Sequence, residues 1–286
     1  MREIAGELMH QRIAVQPPYF SFRRLYITSD SSHSEIYGEF EPEQPLGAEI
    51  GLLCAAEIGR HLAILGSCAA ALTHDNRIYY LATQAKYKLL HPTTGDQSSR
   101  MLCARARVLE RGRNTLRAEG EILTNNIPFA HLDVRYQVLS QELFERLFQC
   151  SDYSEKLSVT TSPYTQPLSL EYDVVNNGVL TAHSNGLLPI QCAGHFPKYP
   201  AWPVALMAYG IGQVSSHLID AILQKPVKYI VKEVDIAAFR LISAITPLTF
   251  TARLRVIEDN GYEVECSVSA NGKEVSRLNT NLSIVE

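Results

Sequence analysis

His195 is the histidine of this chain with the best context for proton transfer, and it stands in the segment GHFPKYPAWPVALMAYGIGQV at residues 194–214. Histidine is the side chain that enzymes use most often as a general acid or base. A histidine of this kind usually works with a carboxylate, but the segment contains neither Asp nor Glu. The carboxylate must therefore come from another part of the chain.

Glu57 is the second candidate, because it stands in the apolar segment CAAEIGRHLAIL at residues 54–65. Residues three and four positions apart lie on one face of a helix, so Glu57, Arg60 and His61 are predicted to be neighbours. Burying a carboxylate without a partner is costly. Glu57 therefore either faces a functional cavity or forms a structural ion pair with Arg60 or with a basic group of the other half.

An internal repeat predicts the elements that position these residues. The segment CARARVLE at residues 103–110 resembles TARLRVIE at residues 251–258, and a short polar turn follows each of them. Alternating segments follow in both halves, with second turns at Asn125-Asn126 and Asn271-Gly272, and Asn-Gly favours a two-residue hairpin turn. Each half is therefore predicted to contain several antiparallel strands joined by tight turns.

One long apolar segment precedes each set of strands, at residues 46–72 and 203–223. Neither segment alternates like a strand, and a helix that is apolar on most sides is a buried helix. The sequence thus predicts an α+β fold in which each half wraps an antiparallel sheet around one long central helix. A loop-like stretch places the boundary near Ser151, which gives an N-terminal domain at 1–150 and a C-terminal domain at 151–286.

Composition and the spacing of residues argue against several classes of function. The chain has 286 residues and a net charge of -4, whereas nucleic-acid binding usually requires a basic excess, so nucleic acid is not expected as a partner. The longest apolar stretch contains Glu57, Arg60 and His61, and the N-terminus lacks the pattern of a signal peptide, so we expect a cytoplasmic protein without a membrane span. The six cysteines lack metal-site spacing, and a Gly-rich phosphate loop is absent, so neither a metal nor another cofactor is expected.

The segment around His195 resembles the signature of the hotdog-fold β-hydroxyacyl-carrier-protein dehydratases. The resemblance rests on HFPKYPAWP at residues 195–203, followed by an apolar run and Gln213. The family has a glycine after the last proline and an acid four residues before the glutamine, whereas this chain has Val204 and Tyr209 at these positions. With the internal repeat, the resemblance implies a double hotdog, in which two antiparallel sheets are related as a pseudo-dimer.

The first half supplies the acid that the second half lacks. Read against the family, Glu57 matches the acid and His61 matches the glutamine, while the loop before this helix has no histidine at the matching place. The resemblance therefore implies one composite active site between the halves. His195 would be the base, and Glu57 would be the acid, with a pKa that burial should raise.

The same resemblance implies supporting roles for other residues. The backbone N–H of Ala205, at the start of a helix, would stabilise the developing oxyanion. Gln213 and His61 would orient the reacting pair, while Tyr209 and Arg60 would lie against the substrate.

The implied function is that of a 3-hydroxyacyl-thioester dehydratase in fatty-acid, polyketide or related secondary metabolism. Its substrate would be carried on an acyl carrier protein or on coenzyme A, and two double-hotdog chains could form a homodimer. A second hypothesis keeps the fold and changes the reaction. Glu57, Arg60 and His61 also resemble the Glu-x-x-Arg-Gln motif of butenolide synthases of the A-factor type, and a thioesterase belongs to the same group. The third hypothesis is a non-catalytic subunit that binds acyl chains.

Overall fold

The computed structural model of the chain describes residues 1–28, 35–92, 101–148, 161–258 and 261–285. The first half begins with a short strand and a short helix and contains one long central helix. Its elements are β1 (Arg2–Ile4), α1 (Gly6–Ile13), β2 (Arg24–Ile27), β3 (Ile36–Phe40), α2 (Ala55–Ala71), β4 (Ile78–Leu89), β5 (Leu102–Arg111), β6 (Thr115–Thr124), β7 (Ile127–Ser140) and α3 (Gln141–Phe148).

The second half repeats this plan around its own long helix. Its elements are β8 (Glu171–Tyr172), β9 (Val179–Ser184), α4 (Val204–Leu223), β10 (Lys228–Ala238), β11 (Leu248–Glu258), β12 (Gly261–Ala270) and β13 (Lys273–Val285). Helix α4 begins directly after Pro203 and ends where Gln224 adopts a left-handed φ of 54°, with Pro226 two residues later. A left-handed residue followed by proline is a common helix terminator.

All the described strands form one antiparallel sheet in the order β1-β2-β3-β5-β6-β7-β4-β10-β13-β12-β11-β9-β8. The order read outward from β4 in one direction matches the order read outward from β10 in the other. The two central strands pair with each other, with Glu233 opposite Lys88 and Ala237 opposite Gln84. The two predicted sheets are therefore the two halves of one continuous sheet. A pseudo-twofold axis between β4 and β10 relates these halves.

The two central helices lie against the sheet and against each other. Helix α2 packs on β5 and β6, helix α4 packs on β9 and β11, and α2 also contacts α4. The buried faces of both helices contain many small residues, which lets the helices approach the sheet closely. The prediction of one buried helix per half is confirmed.

The predicted second hairpin turns have the expected backbone geometry. Asn125 and Asn126 have φ angles of 52° and 65°, and Asn271 and Gly272 have φ angles of 50° and 71°. Two successive residues with positive φ are characteristic of the type I′ turn, whose twist matches that of the strands it joins. These turns connect β6 to β7 and β12 to β13, so the repeat read from the sequence is present in the fold.

The first central helix starts later than its sequence predicts. Its predicted start is at residue 46, but α2 begins at Ala55. Gly47 has a left-handed φ of 61°, and the backbone N–H of Ile50 donates to the Tyr229 carbonyl over 2.8 Å. Residues 46–54 therefore form a loop that reaches across and pairs with β10 of the other half.

The predicted domain boundary at Ser151 lies outside the described residues. The mirrored strand order is consistent with a division between α3 and β8, and the boundary stays a prediction. Within the described ranges, no helix is both long enough and apolar enough to cross a membrane.

Candidate active site

A cavity of about 770 Å³ lies at the seam between the two halves. Helices α2 and α4 line one side of it, and the central strands β7, β4, β10 and β13 line the other. Most of the lining side chains are apolar, and the volume falls in the range of small-molecule sites, roughly 300–1,000 Å³. Both halves thus contribute residues to this cavity.

His195 lines this cavity. Its loop is held by the N-terminal segment, because Val15 forms a bridge with His195 and the Gln16 N–H donates to the Gly194 carbonyl over 2.9 Å. The Tyr19 ring packs edge-on against the imidazole, with 4.9 Å between ring centroids. Burial lowers the pKa of His195 to about 4, and a hydrogen bond with the Ala201 backbone only partly opposes this. The imidazole is therefore neutral at neutral pH.

Gly194 fixes the position of the His195 loop, and its replacement gives a first testable prediction. Gly194 has a φ of 87°, and a Cβ at this position would collide with the Gln16 carbonyl oxygen and lie 2.8 Å from the Tyr19 nitrogen. We expect Gly194→Ala to lower the free energy of unfolding by about 2–4 kcal/mol, from the left-handed conformation and from overpacking. Urea denaturation measures the loss.

Gly178→Ala is the matched control for this prediction. Gly178 also has a left-handed φ, of 71°, but a Cβ added at that position would meet no atom within 4 Å. The control should therefore lose only about 1–2 kcal/mol, the conformational cost alone. Equal losses in the two variants would show that the contact with Gln16 does not constrain the loop.

Glu57 lies outside the cavity lining and has 0% of its surface exposed. Its carboxylate accepts hydrogen bonds from the backbone N–H groups of Glu43, over 2.8 Å, and Gln44, over 3.2 Å. His61 Nε2 lies 3.3 Å from the same carboxylate, and Arg60 Nη2 lies 3.5 Å from it. Each carboxylate oxygen therefore has a partner within the protein.

The sequence-based prediction that burial raises the pKa of Glu57 is wrong. Burial alone acts in that direction, but the hydrogen bond with His61, the charge of Arg60 and the Glu43 N–H together hold the pKa below its usual value. Glu57 is therefore an ionised carboxylate at neutral pH, and it is not available as a proton donor.

Arg60 connects this buried group to the cavity, which it lines. Its guanidinium forms an ion pair with Glu43 and lies over the rings of Tyr19 and Tyr164, at 5.7 Å and 5.0 Å from their centroids. Cation–π contacts of this kind are favourable when the cation is desolvated. Arg60, Glu57 and Glu43 thus form a buried charge cluster at one wall of the cavity.

His61 belongs to the same cluster and not to the cavity lining. Burial and the charge of Arg60 lower the pKa of His61, so the ring is neutral. Its Nε2 faces Glu57, and its Nδ1 lies 3.4 Å from the Ser21 hydroxyl.

The structure does not bring His195 and Glu57 into a hydrogen bond. The partners of Glu57 are the groups named above, and Nδ1 of His195 has no hydrogen-bond partner of good geometry in the described part of the chain. The Tyr19 ring packs against His195. The Arg60 guanidinium lies over that same Tyr19 ring and forms an ion pair with Glu57. The two predicted catalytic groups are therefore near the same seam, but only His195 faces the cavity.

Three other predicted residues line the cavity from α4, and two of them already have protein partners. The Tyr209 hydroxyl donates to the Pro45 carbonyl over 3.2 Å. The Gln213 amide exchanges two hydrogen bonds with the Leu168 backbone, over 3.0 and 3.1 Å. Ala205 contributes a small side chain to the wall.

Glu49 is the functional candidate that the sequence reasoning missed. Among the described residues it is the only carboxyl group that lines the cavity. One of its oxygens accepts the N–H of Ala55, the first residue of α2, over 2.9 Å, and no described residue bonds to the other. Burial raises the pKa of Glu49 to about 8, which the Ala55 N–H opposes only in part.

Glu49 and Tyr209 line the same cavity from opposite halves of the chain. The Tyr209 hydroxyl donates to the Pro45 carbonyl, which lies in the same loop four residues before Glu49. Glu49 comes from the loop of the first half, whereas Tyr209 is on the helix of the second half. The loop of the first half and the helix of the second half therefore meet at one wall of the cavity.

The N-terminus of α4 opens onto the same cavity. Val204 and Ala205 both line it, and α4 has no side-chain cap. Across the described ranges, no acceptor reaches the N–H groups of these two residues. Free N–H groups at the positive end of a helix dipole are well suited to bind a developing negative charge.

Comparison with known proteins identifies the fold. No protein-family model matches the chain, and no curated protein matches it in sequence. A conserved protein of unknown function with a hot dog fold from Alicyclobacillus acidocaldarius aligns with a TM-score of 0.57 at 10% identity, over 91% of this chain and 96% of that one.

Two further solved structures carry functional names. The acyl-CoA thioesterase II of Mycobacterium marinum aligns with a TM-score of 0.54 at 10% identity, over 91% of this chain and 96% of that one. The 12:0-ACP thioesterase of Umbellularia californica aligns with a TM-score of 0.53 at 9% identity, over 88% and 94%. At such identities the likeness establishes the fold, so the predicted α+β double hotdog is confirmed.

The prediction of a 3-hydroxyacyl-thioester dehydratase is wrong. Two of the solved structures that share this fold are named as thioesterases, which are hydrolases and not hydro-lyases. The geometry also argues against the predicted catalytic pair, because Glu57, which was to protonate the departing hydroxyl, is ionised and closed off from the cavity.

Proposed function

We propose that the protein is a thioesterase that hydrolyses an acyl thioester in the seam cavity, with Glu49 as the general base. The observation that carries the proposal is the position of Glu49, the one carboxyl group in the described lining of a cavity that is otherwise mostly apolar. The double-hotdog fold supports it, because solved structures with this fold are named as acyl-CoA and acyl-ACP thioesterases.

The pKa of Glu49 suits general base catalysis. A base works best when its pKa lies near the operating pH, because it is then both ionised often enough and basic enough. At a pKa of about 8, Glu49 is a far stronger base than a solvated carboxylate. Its unpaired oxygen can accept a proton from a water molecule in the cavity while Ala55 holds the other oxygen.

Hydrolysis then proceeds in two steps. Water attacks the thioester carbonyl carbon as its proton passes to Glu49, which gives a tetrahedral intermediate with a negative oxygen. The intermediate collapses, the carbon–sulfur bond breaks, and the thiolate takes the proton back from Glu49. The products are a carboxylic acid and a free thiol, and Glu49 returns to its starting state.

The oxyanion has a binding site at the start of α4. The N–H groups of Val204 and Ala205 are the proposed donors, because donors of this kind stabilise charge that develops only in the transition state. His195, as a neutral imidazole, is proposed to lie against the thioester group. Arg60, Tyr209 and Gln213 are proposed to shape the walls, and Glu57 with His61 positions Arg60.

The thiol carrier is proposed to be coenzyme A or an acyl carrier protein, as in the named neighbours. A homodimer of double hotdogs stays a proposal. An A-factor-type condensation is less well supported than hydrolysis, because it would use Glu57 with Arg60 as a working pair and Glu57 has no surface on the cavity.

A test of the proposed function measures product chemistry directly. The protein is incubated with acyl-CoA and acyl-carrier-protein thioesters of several chain lengths, while free thiol is followed by colour and the acyl products by mass. Thiol and carboxylic acid should appear in equal amounts. Absence of thiol release from every thioester would contradict the proposal.

The second candidate is a non-catalytic subunit that binds acyl chains. It is favoured by the protein partners of the polar groups on the α4 wall, since the Tyr209 hydroxyl is bonded to Pro45 and the Gln213 amide to Leu168. The same experiment separates the two, because a binding subunit would retain thioesters intact.

A further inference from the structure

The four glycines of the two central helices fall into two kinds. A Cβ at Gly66 of α2 would lie 2.6 Å from the Tyr136 hydroxyl, and one at Gly210 of α4 would lie 2.9 Å from the Phe250 ring. These two glycines are needed for close packing. A Cβ at Gly59 of α2 or at Gly212 of α4 would meet no atom within 4 Å.

Neither packing nor backbone conformation explains Gly59 and Gly212. Both lie inside helices, and neither is among the residues with positive φ. Glycine inside a helix is less stable than alanine, because it loses more backbone freedom on folding. The two positions therefore carry a stability cost without a structural need.

The cavity supplies the reason. Gly59 and Gly212 both line it, one from each of two helices that contact each other. Their neighbours toward the cavity are also small, namely Ala56 and Ala63 on α2 and Ala205 and Ala208 on α4. Side chains at the two glycine positions would project into open space between the helices and the sheet.

We propose that Gly59 and Gly212 keep open the passage that holds the acyl chain, and that they thereby admit long acyl groups. This inference rests on the proposed function for the identity of the occupant. A long acyl chain fits because most of the lining is apolar, and each additional buried methylene strengthens binding.

Alanine variants test whether the two glycines are kept for space. Gly59→Ala and Gly212→Ala should raise Tm by about 1–4 °C, since alanine is the better helix former. Gly66→Ala and Gly210→Ala are the matched controls in the same helices and should lower Tm. A lower Tm in both Gly59→Ala and Gly212→Ala would overturn the inference, because it would reveal a packing role.

A larger side chain tests selection of the acyl group. Gly212→Leu should weaken hydrolysis of dodecanoyl-CoA and hexadecanoyl-CoA by roughly 10- to 100-fold, because it displaces about two to three methylenes from the passage. Butanoyl-CoA should be hydrolysed at the wild-type rate. An equal loss for all chain lengths would overturn the inference.

Binding of S-alkyl thioether analogues of the same acyl-CoAs separates this inference from the proposed function. These analogues have no carbonyl and cannot be hydrolysed, so their affinities report on the passage alone. If no thioester is hydrolysed but Gly212→Leu weakens only the long-chain analogues, the passage is supported and the hydrolase is not. If hydrolysis occurs and the affinities of long and short analogues change equally, the inference about the glycines fails.

Discussion

Glu49→Gln is expected to lower kcat/KM for acyl-thioester hydrolysis by about 10²- to 10⁴-fold, the usual contribution of a general base. Glutamine has the same shape and keeps an oxygen that accepts the Ala55 N–H, a bond of 2.9 Å in the native protein. It cannot take a proton from water. The comparison is made at saturating and limiting substrate, so that kcat and KM are separated.

The pH dependence of the native enzyme provides a second measurement on the same residue. Because the base must be ionised, kcat/KM should rise with pH and level off above the Glu49 pKa of about 8. Glu265→Gln, which removes a carboxylate paired with Arg255 on the surface, is the control and should keep both rate and pH profile. Full activity in Glu49→Gln would rule out its role as the base.

Stability should change with pH in the same window. The folded-state pKa of Glu49, about 8, lies above the ordinary glutamate value of 4.5, so its contribution to stability is complete below about 4.5 and is lost as pH rises through about 8. Glu49→Gln does not titrate. Its Tm relative to the native protein should therefore increase between pH 5 and pH 9, whatever the activity of either protein.

Arg60→Met is expected to lower the free energy of unfolding by about 3–5 kcal/mol, as is usual when one partner of a buried ion pair is removed. Arg60 has 1% of its surface exposed and is the cation beside Glu43 and Glu57. Methionine fills a similar volume but leaves both carboxylates without that charge. Urea denaturation gives the loss.

Two further variants show whether charge or volume causes this loss. Arg23→Met breaks an exposed pair with Glu41 and should cost less than about 1 kcal/mol. Adding Glu57→Gln to Arg60→Met removes one of the unpaired charges and should restore part of the stability. A loss in Arg60→Met no larger than that in Arg23→Met would show that the cluster does not stabilise the fold.

The fold could be predicted from the sequence because both halves of the chain carry the same pattern of elements. Two similar segments at residues 103–110 and 251–258 indicated the hairpins, and Asn-Gly chemistry at Asn271-Gly272 indicated a turn that the structure shows. The pairing of β4 with β10 was not readable, because periodicity reports which face of a strand is buried and not which strand lies beside it.

The site was harder to predict than the fold, and Glu49 shows why. Because the helix was predicted to start at residue 46, Glu49 was expected in its first turn. Gly47 and Gly51 argue against a helix in this stretch. Glu57 was predicted to be the catalytic acid because it matches a family motif. Whether a buried acid is ionised depends on the groups that bond to it, such as the Glu43 and Gln44 N–H groups beside Glu57. The spacing of residues in the sequence does not predict these contacts.

The unbroken strand ladder across the centre of the molecule has an evolutionary consequence. In an assembly of two identical chains, every substitution appears twice and must suit both copies of a pocket. Here the copies are joined in one polypeptide, so each can place different side chains on the shared cavity, such as a loop glutamate from one copy and a helix tyrosine from the other. Covalent linkage thus frees each copy to specialise, and one asymmetric pocket can replace two equal ones.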